Sequence, residues 1–146
     1  MTSAAGRIIV GVDGSKASED ALQWAANEAS LRGLGLHVVT CWTPTVVPYI
    51  GVVPDHEAER EAETIANAMI EEVLGSARQD LDVTVELLEG PAALRLLDFE
   101  LIGEMIVVGS RGRGGFAGLL LGSVSQHLAE HARCPVVVIH GSSSQE

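Results

Sequence analysis

Lysine is almost missing from this 146-residue chain: Lys16 is the sole example, and nine basic against twenty acidic side chains leave a net charge of −11. That balance repels nucleic acid and anionic membrane at long range, so neither is expected as a partner. Aromatic residues make up only 3%, with Trp24 and Trp42 as the two tryptophans. They are too few for a base-stacking platform and are expected to pack in or beside a core. No apolar run approaches the roughly 18 residues of a membrane helix. Residues Met1 to Gly6 lack a cationic segment leading into an apolar signal core, so the cytoplasm is the expected compartment. The two cysteines, Cys41 and Cys134, provide no disulfide framework and read as buried thiols.

What is present suffices for one domain. A chain of this length buries roughly 70% of its unfolded surface, and the expected core spans about residues 7–140, with a polar tail over 141–146. Ile8, Ile9, Val10 and Val12 form an apolar run without alternation, as in a strand covered on both faces. Asp13, Gly14 and Ser15 turn the chain, and Ser18 is placed to cap a helix carrying Ala21, Leu22, Ala25, Ala26 and Ala29 at helical spacing. A second strand is expected over Leu36–Trp42. The segment 43–54, with Pro44, Pro48, Gly51 and Pro54, reads as an irregular loop.

From Asp55 to about Arg78 the pattern is an amphipathic helix, and the charge run Glu57–Glu63 is its solvated face. A third strand over Val83–Leu88 precedes a helix from Gly90 and Pro91 through about Ile102. A fourth strand, Met105–Val108, precedes a glycine-rich loop, a helix over Ser123–Ala132 and a fifth strand near Val136–Ile139. Alternation of this kind predicts an α/β fold: an open five-stranded parallel sheet of order 3-2-1-4-5 with helices on both faces. In that order strands 2 and 5 are about 14 Å apart at roughly 4.8 Å per strand, so a Cys41–Cys134 bridge is not expected. The ligand crevice of such a sheet lies where the strand order reverses, between strands 1 and 4.

The loop at that point reads Gly109, Ser110, Arg111, Gly112, Arg113, Gly114, and later Gly122, Ser123, Val124, Ser125. Glycines admit backbone N–H groups close to an anion, and a helix start offers unpaired donors. Gly122 is read as keeping the phosphate's approach open. A P-loop is excluded, because no lysine follows the last glycine. Gly112, Gly114 and Ala117 fit a looser dinucleotide pattern, but that fingerprint belongs after the first strand, and Glu130 falls in a helix instead of at a strand end. His127 and His131 stand four apart, yet the zincin order would need Glu where Leu128 stands, so they read as ordinary helix residues. No nucleophile, base and orienting residue are recognisable as a set.

The spacing Gly109, Gly112, Gly122–Ser123 resembles the nucleotide signature of the universal stress protein family. So do Val10–Ser15 and Cys134–Val138, in the right order and with the right elements between them. The resemblance implies a Rossmann-like fold of the adenine nucleotide alpha hydrolase-like kind and membership of the ATP-binding subgroup. It further implies that Gly11, Val12 and Asp13 line the adenosine end and that the Cys41 backbone lies near the adenine. Gly109, Ser110, Arg111, Gly112, Arg113, Gly114, Gly122, Ser123, Val124 and Ser125 would embrace ribose and phosphates, with the Ser123 and Ser125 hydroxyls and both arginines donating. Asp13 is the candidate carboxylate for a Mg2+ or Mn2+ ion bridging the phosphates. The expected role is a nucleotide-dependent regulator of stress response or dormancy. A slow ATPase or nucleotide-transfer enzyme and a cyclic-AMP binder stay open as alternatives. The apolar last strand, residues 135–139, is an exposed sheet edge that predicts a homodimer, in line with the family's habit.

Overall fold

A computed structural model describes residues 6–112 and 121–141 of the chain. Among the described residues, seven strands and four α-helices follow in order: β1 Arg7–Gly11, α1 Lys16–Arg32, β2 Gly35–Trp42, β3 Thr45–Val47, β4 Gly51–Val53, α2 His56–Leu74, β5 Val83–Glu89, α3 Ala92–Leu97, β6 Gly103–Gly109, α4 Ser123–His131 and β7 Val136–Ile139. Five strands form one parallel sheet ordered β5-β2-β1-β6-β7, which is the predicted 3-2-1-4-5 when only sheet strands are counted. Order reverses between β1 and β6.

The unbroken apolar run of β1 is explained by its two coats. Ile8 and Val10 point into a core with Ala21, Leu22 and Ala25 of α1 and Met69 and Ile70 of α2. Ile9, one position along, joins Leu96 of α3 and Leu128 of α4 on the opposite face. Alternate side chains of a strand point to opposite faces, so a central strand between two helical layers has no polar side.

Several boundaries differ from expectation. Segment 43–54 is not irregular: β3 and β4 pair as an antiparallel hairpin, Val46 opposite Val52, tied at its base by Thr45 Oγ1 donating to Asp55 Oδ2 at 2.6 Å. Three-residue strands leave no sequence period to read, and prolines outside the ladder do not interrupt it. Helix α1 is capped by Ser15, whose hydroxyl accepts from Ser18 N at 3.2 Å, and not by Ser18. Helix α2 ends at Leu74 and passes into a 3-10 turn over Gly75–Asp80. Helix α3 stops at Leu97, with Ile102 N and Gly103 N both bonded to Phe99 O in a closing turn. That turn leaves Leu101 and Ile102 exposed. Both cysteines are free thiols, half-buried instead of fully buried.

Candidate functional site

The C-terminal ends of β1, β2 and β6 open into a cleft of about 660 Å³ at the point where strand order reverses. Its floor is set by β1 and its extension, Gly11, Val12 and Asp13. One wall is Val39–Trp42 of β2 with Thr43 just beyond it, and another is Val108, Gly109, Arg111 and Gly112 with Gly122, Ser123, Val124 and Ser125. The sequence reading named both sides, and the fold brings them together. Arg113 and Gly114 lie outside the described residues.

Local hydrogen bonds shape each side. Asp13 Oδ1 accepts from Ser15 N at 2.9 Å, and Asp13 N donates to Ser18 Oγ at 3.2 Å, so the residue after β1 is fixed by the first turn of α1. The glycine loop is anchored at both ends. Ser110 N donates to Ile139 O at 2.7 Å, extending the β6–β7 ladder, and Gly122 N donates to Ser110 O at 2.6 Å. Ser110 itself is buried, 2% exposed, and does not line the cleft. The Ser125 hydroxyl, expected to donate to phosphate, donates instead to Ser110 O at 2.8 Å. Its service is to join α4 to the loop.

Gly122 also serves the fold itself. A Cβ on Gly122 would stand 3.1 Å from Arg111 Cα and 3.4 Å from Gly112 N. Its missing side chain lets α4 approach the loop's own backbone, before any ligand is considered. Gly122 caps α4 without a side-chain acceptor on the first-turn N–H groups. Helix starts of this kind expose backbone N–H donors that can serve an anion, and this one lies at the cleft's edge.

Three parts of the lining were not foreseen. Helix α2 contributes Ala58, Glu61, Ala62 and Ile65, the β5–α3 turn contributes Gly90, Pro91 and Ala92, and Leu96 adds an apolar floor. Trp42 lines the cleft, whereas Trp24, on α1, is partly buried and packs against the core. Burial in this wall pushes the Cys41 thiol up to about 11, partly offset by the Arg95 guanidinium. The charged groups among the described lining residues are Asp13, Glu61 and Arg111. Among the described residues no group of three or more metal-ligating side chains converges.

An open parallel sheet that holds its cleft at the switch point, beside the start of α4, defines a class: doubly wound α/β proteins with a crevice across the strand ends. Comparison with known proteins narrows it. Residues 5–140 match the Universal stress protein family, and the chain belongs to that family. A universal stress protein of Mycolicibacterium smegmatis is 37% identical over 141 residues, covering 92% of this chain and 48% of that protein. One from Mycobacterium tuberculosis is 36% identical over 144 residues, covering 94% and 48%. The chain thus spans about half the length of these curated relatives. Among solved structures, a universal stress protein in complex with cAMP has a TM-score of 0.61 at 27% identity, covering 94% of this chain and 98% of that one. The Archaeoglobus fulgidus protein in complex with dAMP has a TM-score of 0.64 at 26% identity, covering 95% and 99%. No described helix is long and apolar enough to cross a membrane.

Proposed function

We propose that the switch-point cleft binds an adenine nucleotide, ATP foremost, and that the chain acts as a cytoplasmic nucleotide-dependent regulator of stress response or dormancy. One observation carries this reading: Gly11–Asp13, the Gly109–Gly112 loop and the uncapped start of α4 at Gly122 line one cleft. The base would occupy the apolar end among Val39, Cys41, Ala62 and Leu96, and the phosphates the end at Gly112 and Ser123. Solved relatives in complex with cAMP and dAMP support an adenine ligand. Against a triphosphate, the carboxylates of Asp13 and Glu61 outnumber Arg111 among the described lining residues. The ligand is therefore expected as its Mg2+ or Mn2+ complex, with Asp13 as the carboxylate nearest the loop.

Dimerisation through β7 belongs to the same proposal. That strand is an edge of the sheet and carries Val136, Val137, Val138 and Ile139, and unpaired apolar edges recruit another strand. Light scattering should return twice the 15.3 kDa chain mass. A monomer at all concentrations would remove that element.

Calorimetry with ATP, with and without Mg2+, and with cAMP in competition tests the ligand. Binding of ATP that strengthens with Mg2+ and is displaced only weakly by cAMP is the expected result. Absence of heat with every adenine nucleotide refutes the reading, and tighter binding of cAMP than of ATP reassigns the ligand.

A further inference from the structure

We propose that His127 and His131 form a chelating site for a divalent transition-metal ion of borderline softness, such as Zn2+ or Ni2+, on the outer face of α4. The pair is separate from the cleft, since neither histidine lines it. The segment reads His127, Leu128, Ala129, Glu130, His131. It lacks the H-E-x-x-H order, but it matches the inverted order H-x-x-E-H, in which two histidines one turn apart hold the ion.

Side-chain placement adds what the sequence leaves open. The two imidazoles stand with ring centroids 4.4 Å apart, tilted by 38°. Two nitrogens held at 2.0–2.1 Å by one tetrahedral ion are roughly 3.4 Å apart, so rings this close need only a small opening to share it. Leu128 between them is fully buried, and beside that buried seam His127 is half-buried while His131 is exposed. His131 has a side-chain exposure of 55%, so an ion can reach it from solvent.

Glu130 completes the arrangement. Its Oε1 lies 4.0 Å from His131 Nε2, and its Oε2 accepts from Gln126 Nε2 at 3.4 Å. The carboxylate is placed to accept a hydrogen bond from metal-bound water, a supporting role that carboxylates beside metal ligands commonly fill. With two protein ligands and water in the remaining positions, the site exchanges its ion readily. It is a surface clamp across one turn of α4, not a hydrolytic centre, because the described residues supply no third ligand.

The test uses the full, untagged chain, titrated calorimetrically with NiCl2 and separately with ZnCl2. One ion per chain is expected. His127→Ala and His131→Ala should each weaken binding by more than the roughly tenfold that loss of an outer-shell partner costs. Cys134→Ser should leave it unchanged, and circular dichroism establishes that each variant is folded. Binding that survives both histidine substitutions, that disappears with Cys134→Ser, or that is absent in the parent chain overturns the proposal.

Discussion

Replacing Gly109 or Gly112 by alanine should separate two glycines that look alike in sequence. A Cβ on Gly109 would stand 2.7 Å from Ala17 Cβ, 2.8 Å from Ala17 C and 3.0 Å from Ala17 O. Those atoms belong to the first turn of α1, held by the Ser15 cap, and two of the three are backbone. They cannot rotate away, so β6 or α1 must shift. Overpacking of this kind costs about 1–3 kcal/mol, and the upper end applies where backbone is struck. Alanine recovers about 0.4–1 kcal/mol by restricting the unfolded chain. The net is a loss of about 2 kcal/mol, or roughly 4–8 °C in Tm for a domain of this size.

At Gly112 the new Cβ would meet Asp13 Oδ2 at 2.6 Å, with the next atom, Asp13 Cγ, at 3.8 Å. A carboxylate can turn aside, so stability should change by no more than about 0.5 kcal/mol. The cost appears in the cleft, where Asp13 is displaced. Nucleotide binding should weaken at least about tenfold, the lower end for one hydrogen bond to a charged group. Thermal denaturation followed by circular dichroism, together with calorimetry on both variants, gives the comparison. Equal loss of Tm in the two, or a Gly109→Ala protein as stable as the parent, would refute the contact argument.

Ser125→Ala removes the 2.8 Å hydrogen bond to Ser110 O from a site only 2% exposed, so urea denaturation should show a loss of about 1 kcal/mol. Leu128→Ala, at a fully buried position beneath α4, should cost about 2–5 kcal/mol in the same assay. A smaller loss would mean that α4 collapses onto the sheet. Because burial raises the Cys41 thiol from its ordinary 9.0 to about 11, the neutral thiol favours the folded state. Its contribution is complete below pH 9 and is lost as pH rises through 11. Parent stability should therefore fall more steeply across that window than that of Cys41→Ala, and iodoacetamide should alkylate Cys41 more slowly than a free thiol at pH 8. Identical pH slopes for the two proteins would contradict the assignment.

The sheet was legible because its signals are local. Ile8, Ile9, Val10 and Val12 announce a two-sided strand, and each following helix carries its own apolar spacing. Crossover rules then leave few orders for five parallel strands. The hairpin Thr45–Val53 was not legible, since Val46 and Val52 face outward, 71% and 66% exposed. A short ladder with its apolar pair in solvent has no buried face to impose alternation. The end of α3 misled for a related reason: Leu101 and Ile102 continue the apolar spacing of a helix, but the backbone closes on Phe99 O instead.

The candidate site was legible where it is built from chain ends and obscure where it is built from helix faces. Gly11–Asp13 and Gly109–Gly112 follow strands, so their place at the switch point comes with the topology. Ala58, Glu61 and Ile65 reach the cleft only because α2 packs beside α1 over β2, and no periodicity in α2 distinguishes a cleft-facing residue from a solvated one. For Glu61 this has a consequence. It was one charge within an acidic run, and the fold turns it toward the mouth of a cleft proposed for an anion. Glu61→Gln should then tighten binding of metal-free ATP while changing the Mg2+ complex little, because the cation already screens the carboxylate. Calorimetry in the presence of chelator measures the difference. Weaker metal-free binding in the variant would mean that Glu61 accepts a hydrogen bond from the nucleotide instead of repelling its phosphates.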